Sequence, residues 1–344
     1  GGGGETLVER LVRVPSVSGQ EAEAVALLVS ELAARGFDAS VDEAGNAVGV
    51  RGGGPVRVFL VGHIDTVPGE VPVAVRDGAL YGRGSVDAKG PLATFVEAAA
   101  AVEAPRLTLT VVGCVGEEAD SPGARHLLGV HAPADFVLIG EPSGWDGITL
   151  GYKGSLSLAY EVKKPLAHRG APVSTPAEDA VAFYNALCAA YPERGTGFGD
   201  LSFKLTALVT EGDGLRERAA MALNVRTPPG FDAGALARCA RELAGEGALT
   251  LGEALPAVLA GKANPLVRAL LHGVRAQGGT PRFVRKTGTS DMNLLQAWGC
   301  PMLAYGPGDS ALDHTPDEHL DLGEYARAIR VLVSALEQLS AAGR

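Results

Sequence analysis

His63 and Asp65 stand in VGHIDT, Asp87 in GRGSVDAKG, Glu117 and Glu118 in CVGEEAD, Glu141 in LIGEP and His314 in LDHTPDEH. Imidazole and carboxylate without thiolate is a donor set that suits Zn, Mn or Co rather than an iron–sulfur centre. Two imidazoles and three carboxylates suffice to hold two divalent ions, and one carboxylate is left over as a base. Three of these blocks follow an apolar run directly. An open α/β sheet gathers functional side chains in that way, outside the carboxyl ends of its strands.

His63 closes the run VFLVGH, and Asp65 follows two positions later. In an extended chain the two face the same side, so Asp65 is placed to grip the far imidazole nitrogen and fix its tautomer. Alone, His-x-Asp would read as a structural histidine. Asp87 follows Gly82, Gly84 and Ser85. Its two oxygens can bridge ions about 3.5–4 Å apart, although in isolation it would read as a turn aspartate. Glu117 and Glu118 come straight after LTLTVVGCV. On an extended segment neighbours point opposite ways, so Glu118 is expected to take an ion and Glu117 to act as general base. Glu141 closes DFVLIG, and His314 lies in a loop after an apolar run at 302–305. Three ligand carboxylates leave two divalent ions with one net positive charge, which can polarise a carbonyl and stabilise a tetrahedral anion.

Other motifs carry less. His126 follows a helix-like stretch and His319 lacks the Asp-His-Thr setting. The glycines before Asp87 do not complete G-x-G-x-x-G, and no Walker lysine pattern exists. Gly308-Asp309-Ser310-Ala311-Leu312 looks like a lipase serine block, but no Asp and His follow in triad order.

The elements that must position these residues alternate. Residues 5–35 read as helical, interrupted at Pro15 and Gly19. Strands are expected at 37–41, 47–51 and 56–62, a helix at 91–101, a strand at 107–115, a short helix at 119–128 and a strand at 136–139. This is an α/β pattern with a layered, mostly parallel sheet. Near residue 153 the style changes. SLSLAYEV at 155–162 alternates with period 2. It is followed by helix 177–190, strands 202–209 and 219–225, helix 233–245 and strand 249–253. That β-α-β-β-α-β series reads as a separate α+β domain at 153–256, inserted into a catalytic domain of 5–152 and 257–344. The α/β style returns with helix 265–277, strand 302–305 and helix 323–341. The four leading glycines are left out of this reading.

The chain has 344 residues, 46% of them hydrophobic, which is enough for two cores. Its net charge of −10 argues against a general nucleic-acid surface. No apolar run of about 18 residues and no basic-start signal peptide occurs, so neither membrane nor export is expected. Cys114, Cys188, Cys239 and Cys300 are far apart and form no Cys-x-x-Cys pair, as in a cytoplasmic protein with reduced thiols. Residues 153–256 hold only −1 of the net charge. Lys163, Lys164, Arg169, Arg282, Arg285 and Lys286 supply local basic groups.

HIDT, GRGSVDAKG, GEE, GEP and the late DHT, in this order, resemble the co-catalytic metallopeptidase family of acetylornithine deacetylase, succinyl-diaminopimelate desuccinylase, aminoacylase and glutamate carboxypeptidase. The likeness covers nearly the whole chain. It implies a zinc-peptidase-like catalytic domain with a ferredoxin-like lid that dimerises. It further implies two divalent ions, Zn with Co or Mn as alternatives. One ion would take His63 and Glu141, the other Glu118 and His314, with Asp87 bridging, Glu117 as base and Asp65 behind His63. His168 in PLAHRGAP matches a family histidine that steadies the oxyanion, often from the partner subunit, although Arg169 replaces the usual Ser. Arg226 in NVRTPP, with Asn224 beside it, matches an arginine that grips a substrate carboxylate. Gly288, Thr289, Ser290 and Asp291 match a loop that lines the substrate pocket.

TLGYKGSL and KTGTSDMN resemble the lysine-biosynthesis branch of this family. Those enzymes release lysine or ornithine from the C-terminal glutamate γ-carboxyl of a small acidic amino-group carrier protein, toward lysine or arginine. The basic groups named above are expected to steer such a carrier. The alternatives within the family are N-acetylornithine deacetylase, succinyl-diaminopimelate desuccinylase and metallodipeptidase or carboxypeptidase. A non-catalytic metal-binding paralogue would be expected to lack Glu117 or a ligand.

Overall fold

The computed structural model describes residues 4–342. Contacts divide the chain into one unit of Gly1–Gly151, Ala260–Arg285 and Ser290–Arg344, and a second of Tyr152–Leu259 with Lys286–Thr289.

The first unit is built on a sheet with a parallel centre. Strands Leu107–Cys114, Val56–His63, Phe136–Ile139 and Met302–Ala304 lie side by side, all parallel. Ala47–Gly52 and Asp38–Val41 extend one side antiparallel, and Gly147–Tyr152 the other. The central strands are nearly continuous in apolar residues because helices cover both faces. Leu60, Leu109 and Val111 of the strands are buried with Leu28, Leu92, Phe95, Leu270 and Leu332 of the helices.

One close approach positions the site. Gly62 and Gly113 are register partners on adjacent strands, each one residue before its strand ends. Leu92 of helix Lys89–Ala101 sits directly on this pair. A Cβ on Gly62 would lie 3.0 Å from the Leu92 Cβ and 3.3 Å from its Cα. A Cβ on Gly113 would meet Leu28 Cδ2 at 2.8 Å. The two missing side chains let the start of that helix settle close to His63, and Asp87 lies two residues before the helix.

Several elements escaped the sequence reading. The stretch 5–35 breaks where Pro15 and Gly19 interrupt it, into helices Leu7–Arg13 and Ala22–Ala34, but the Thr6–Glu9 capping box that opens the first was not read. Short strands Ala74–Arg76, Ala79–Tyr81 and His319–Asp321 form a small antiparallel sheet. Three residues are too few for an alternation to register. Gly147–Tyr152 is buried at every position, so it shows no period at all. The helix expected from 119 starts at Pro122, because residues 117–120 form a turn.

The second unit is a four-stranded antiparallel sheet, ordered Ser202–Gly212, Arg216–Thr227, Gly154–Pro165, Ala248–Leu251. With helices Pro176–Ala190 and Ala233–Leu243 this is the ferredoxin-like arrangement. Alternate residues Leu156, Leu158, Tyr160 and Val162 face a core with Phe183, Leu187 and Leu236. Ser202–Gly212 is an edge strand, and Leu205, Leu208 and Val209 on it are exposed. Among the described residues no helix is long and apolar enough to cross a membrane.

Candidate active site

In the first unit the strand ends and two turns bring the metal-seeking side chains together. His63 is buried at the end of its strand. Its Nε2 faces Asp87 Oδ1 at 3.1 Å, Glu141 Oε1 at 3.4 Å and Glu117 Oε2 at 3.6 Å. His314 Nε2 lies 3.0 Å from Asp87 Oδ2 and 3.0 Å from Glu118 Oε1. Asp87 therefore presents one oxygen to each imidazole. The backbone of His314 is left-handed, with φ 62°, an uncommon conformation for a side-chain-bearing residue and often met at functional sites.

Asp65 has a wider role than its sequence position suggests. The His63 Nδ1 is nearest the Asp65 main-chain oxygen, at 3.0 Å, with the carboxylate Oδ1 at 3.3 Å. The carboxylate also accepts the N–H groups of Glu117 at 3.1 Å and Glu118 at 3.0 Å, and the Ser18 hydroxyl at 2.6 Å. It ties the His63 strand to the glutamate turn. Strand alternation does not separate Glu117 from Glu118. The strand ends at Cys114 and both glutamates sit in the following turn. Their side chains diverge all the same, Glu117 toward His63 and Glu118 toward His314.

The electrostatics are those of a site built around cations. Burial raises Glu117 well above the usual carboxylate range, and Glu141 adds to this against the pull of His63. Glu118 is pushed up to about 7, by burial and then by Asp87. His63 is held well above its ordinary value. Burial would lower it, but Glu117, Glu141 and the hydrogen bonds with Asp65 and Asp87 together outweigh burial. His314 is raised to about 9, chiefly by its hydrogen bond with Asp87. Asp87 is held low by hydrogen bonds from His314 and His63 despite burial. Packed carboxylates that retain protons only in each other's company are relieved by divalent charge. Donor atoms of His63, Asp87 and Glu141 lie within 4.8 Å of one another, as do those of Asp87, Glu118 and His314, and those of His63, Glu117 and Glu118. These residues fit a metal centre.

One residue near the centre was read from sequence only as the end of a pocket-lining loop. Asp291 opens helix Asp291–Leu295, is buried, and is pushed up to about 7 by burial, opposed by His63 and Ser121. Its Oδ1 has no hydrogen-bond partner among the described residues. In sequence it closes the Gly288–Asp291 loop, with nothing there to mark its burial. His126 faces Asp42 at 3.8 Å and His319 stacks on Tyr81, so neither joins the cluster. Asp309 caps the short helix Ser310–Leu312.

In the second unit, Arg226 and Asn224 point from the same face of strand Arg216–Thr227. Arg226 Nη1 lies 3.4 Å from Thr289 Oγ1, and Asn224 Nδ2 donates to Ser155 Oγ at 3.2 Å. Among the described residues no carboxylate forms a salt bridge with Arg226. His168 is exposed, and its Nδ1 accepts the Gly170 N–H at 3.1 Å. In the first unit, Ser290 caps the helix that Asp291 opens. The basic groups are more muted than their sequence suggests. Lys163 pairs with Glu161, Lys164 with Asp179 and Arg282 with Asp146.

The model of peptidase family M20/M25/M40 matches residues 59–338. The chain is 48% identical to the "[LysW]-lysine hydrolase" of Deinococcus radiodurans, over 97% of this chain and 96% of that one. Aminopeptidase PepT from Bacillus cereus shares the fold, with TM-score 0.79, 20% identity and 96% of each chain covered. So does the Bacillus subtilis YXEP protein, a dinuclear metal binding peptidase, with TM-score 0.69, 15% identity and 96% of each chain covered. With its carboxylates and imidazoles gathered at the strand ends, the chain belongs to peptidase family M20/M25/M40 and is a hydrolase of amide or peptide bonds.

Proposed function

We propose that the protein is a LysW-lysine hydrolase, which frees lysine from the C-terminal glutamate γ-carboxyl of an acidic amino-group carrier protein. The observation that carries this reading is the 48% identity to a protein of that name over nearly all of both chains. Ornithine is the other amine to be tested, given the branch that the sequence resembles.

Two divalent ions, with Zn the first candidate, would be held by His63 with Glu141 and by Glu118 with His314, while Asp87 bridges. The placement of one Asp87 oxygen at each imidazole supports this division. When bound, the ions would polarise the scissile carbonyl and make the attacking water more acidic. Glu117 accepts a proton from that water and passes it to the leaving amine nitrogen. Its raised proton affinity, caused first by burial, suits a group that must take a proton and release it again. Asp65 holds His63 and both glutamate amides in register. Arg226, with Asn224, grips a substrate carboxylate, and a guanidinium with no acidic partner among the described residues suits that role. His168, supplied by a partner subunit, steadies the oxyanion, and Gly288, Thr289 and Ser290 line the pocket.

The second unit serves as lid and dimerisation domain in this reading. Its edge strand Ser202–Gly212, with exposed Leu205, Leu208 and Val209, supports pairing with a second copy. We place the protein in the cytoplasm, where its four free cysteines would stay reduced. The test is turnover of carrier-lysine and carrier-ornithine conjugates with Zn or Co, beside acetylornithine and succinyl-diaminopimelate. Preferred cleavage of the small acyl substrates would overturn the assignment.

A further inference from the structure

Glu318 reads in sequence as one of two adjacent acids in TPDEH, the kind of pair that faces water. In the structure it is fully buried. Its Oε1 accepts the Gly84 N–H at 3.1 Å and Arg83 Nη1 at 3.0 Å. Its Oε2 accepts the N–H groups of Val86 and Asp87, each at 3.0 Å. Burying a carboxylate is costly unless charge and hydrogen bonds compensate. Here four donors compensate, and all four come from the single turn that ends in Asp87. A carboxylate offers about four acceptor positions, so Glu318 has none left for an ion.

The small sheet explains how Glu318 arrives there. His319 pairs with Tyr81 in register, and the next residues inward, Glu318 and Gly82, are joined by Gly82 N–H donating to the Glu318 carbonyl at 3.2 Å. The Gly82–Asp87 turn therefore starts beside Glu318 and folds back over its carboxylate. His314 lies four residues before Glu318 on the same segment. Arg83 completes the link, because Nη1 also donates to the Thr315 carbonyl at 3.1 Å.

We propose that Glu318 is a positioning residue that sets the Asp87 turn against the His314 segment. It thereby holds the ion position formed by Asp87, Glu118 and His314. Asp87 and His314 are far apart in sequence, and their 3.0 Å approach depends on these two segments keeping register. Glu318 grips the Asp87 backbone from one side and anchors the His314 loop from the other. A donor set that drifts by a fraction of an ångström loses affinity, so the carboxylate acts on the ion without touching it.

This inference rests on the two-ion reading of the site, and one experiment separates the two. Metal-free protein and its Glu318→Gln variant are titrated with Zn2+ alone against a chromogenic chelator, with folding checked by circular dichroism. Gln places an amide NH2 against backbone N–H groups, so two of the four bonds are lost. The wild-type chain is expected to bind two ions. In the variant one ion is expected to weaken by roughly 10- to 100-fold and the other by less. Excess Zn2+ should then restore kcat with the substrate KM unchanged, a rescue that a merely structural role would not produce. Fewer than two ions on the wild-type chain would overturn the two-ion reading and this inference with it. Two ions on the wild type and unchanged affinities in a folded variant would overturn the role of Glu318 alone. Should Glu318→Gln fail to fold, Arg83→Met removes one Glu318 bond and the Thr315 tether, and the same ion should weaken several-fold. Unchanged affinity there would equally overturn the proposal.

Discussion

Asp87 Oδ2 and His314 Nε2 lie 3.0 Å apart, although one residue precedes the helix on Gly62 and the other follows the last central strand. Two routes through the chain converge on this contact. Helix Lys89–Ala101 settles on a glycine pair, and the late loop is tied down through Glu318.

Glu117→Gln keeps the size of the side chain and removes the base. Turnover should fall by about 100- to 10,000-fold, the range of a lost general acid–base group. Metal content should stay at the wild-type level, because the five proposed ligands are untouched. Loss of metal together with activity, measured by elemental analysis, would instead make Glu117 a ligand, as the grouping of His63, Glu117 and Glu118 allows.

Gly62→Ala tests the packing that positions Asp87. The added methyl would meet Leu92 Cβ at 3.0 Å and Cα at 3.3 Å, so the helix itself must shift. Overpacking of this kind costs about 1–3 kcal/mol. Denaturant unfolding should show that loss, accompanied by weaker metal binding. A variant of unchanged stability would mean that the helix has slack at this point.

The pH dependence of the metal-free protein has a definite sign. Burial pushes Glu118 and Asp291 up to about 7, and the Asp87 hydrogen bond takes His314 up to about 9. Each binds its proton more tightly folded than unfolded. Their contribution is complete below their ordinary values of 4.5, 3.8 and 6.5 and is lost as pH rises through the folded ones. Asp65 and Asp87 are shifted the other way, so their contribution is present above their ordinary value of 3.8 and is lost only in acid. In chelator, the thermal midpoint should therefore fall as pH rises from about 5 to about 7, above which Lys89, brought down to about 7 by burial, acts in the opposite sense. Zn2+ should displace the protons, raise the midpoint and flatten the trend. A midpoint that climbs with pH over that range in chelator would contradict this account.

Arg226→Ala removes a guanidinium that has no carboxylate partner among the described residues. A hydrogen bond to a charged group contributes about 1.5–3 kcal/mol, or roughly ten- to a hundred-fold. The loss should appear as a higher KM for the carrier-linked substrate, with a much smaller change in kcat. A variant with normal KM would release Arg226 from substrate binding.

Much of the candidate site was legible because metal chemistry restricts residue types and sheet topology restricts where they stand. His63 and Glu141 follow apolar runs, and the structure brings their side chains to within 3.4 Å. The turn holding Glu117 and Glu118 was not legible, since the strand's apolar run continues through Val115 after the strand has ended. Glu318 was hidden for a different reason. Its burial depends on a three-residue strand pairing with a segment far away in sequence, and no local pattern encodes that. Asp291 was legible as the end of the Gly288–Asp291 loop, but its burial was not, since Ser290 and Asp291 read together as an ordinary helix start.

The most direct test of the central claim is a turnover panel on the Zn-loaded enzyme. It should offer carrier-lysine, carrier-ornithine, acetylornithine and succinyl-diaminopimelate at matched concentrations and follow the released amine. The account predicts that the carrier-lysine conjugate has the highest kcat/KM and that both small acyl substrates are poor. Efficient cleavage of either small substrate, with the carrier conjugate left intact, would contradict it.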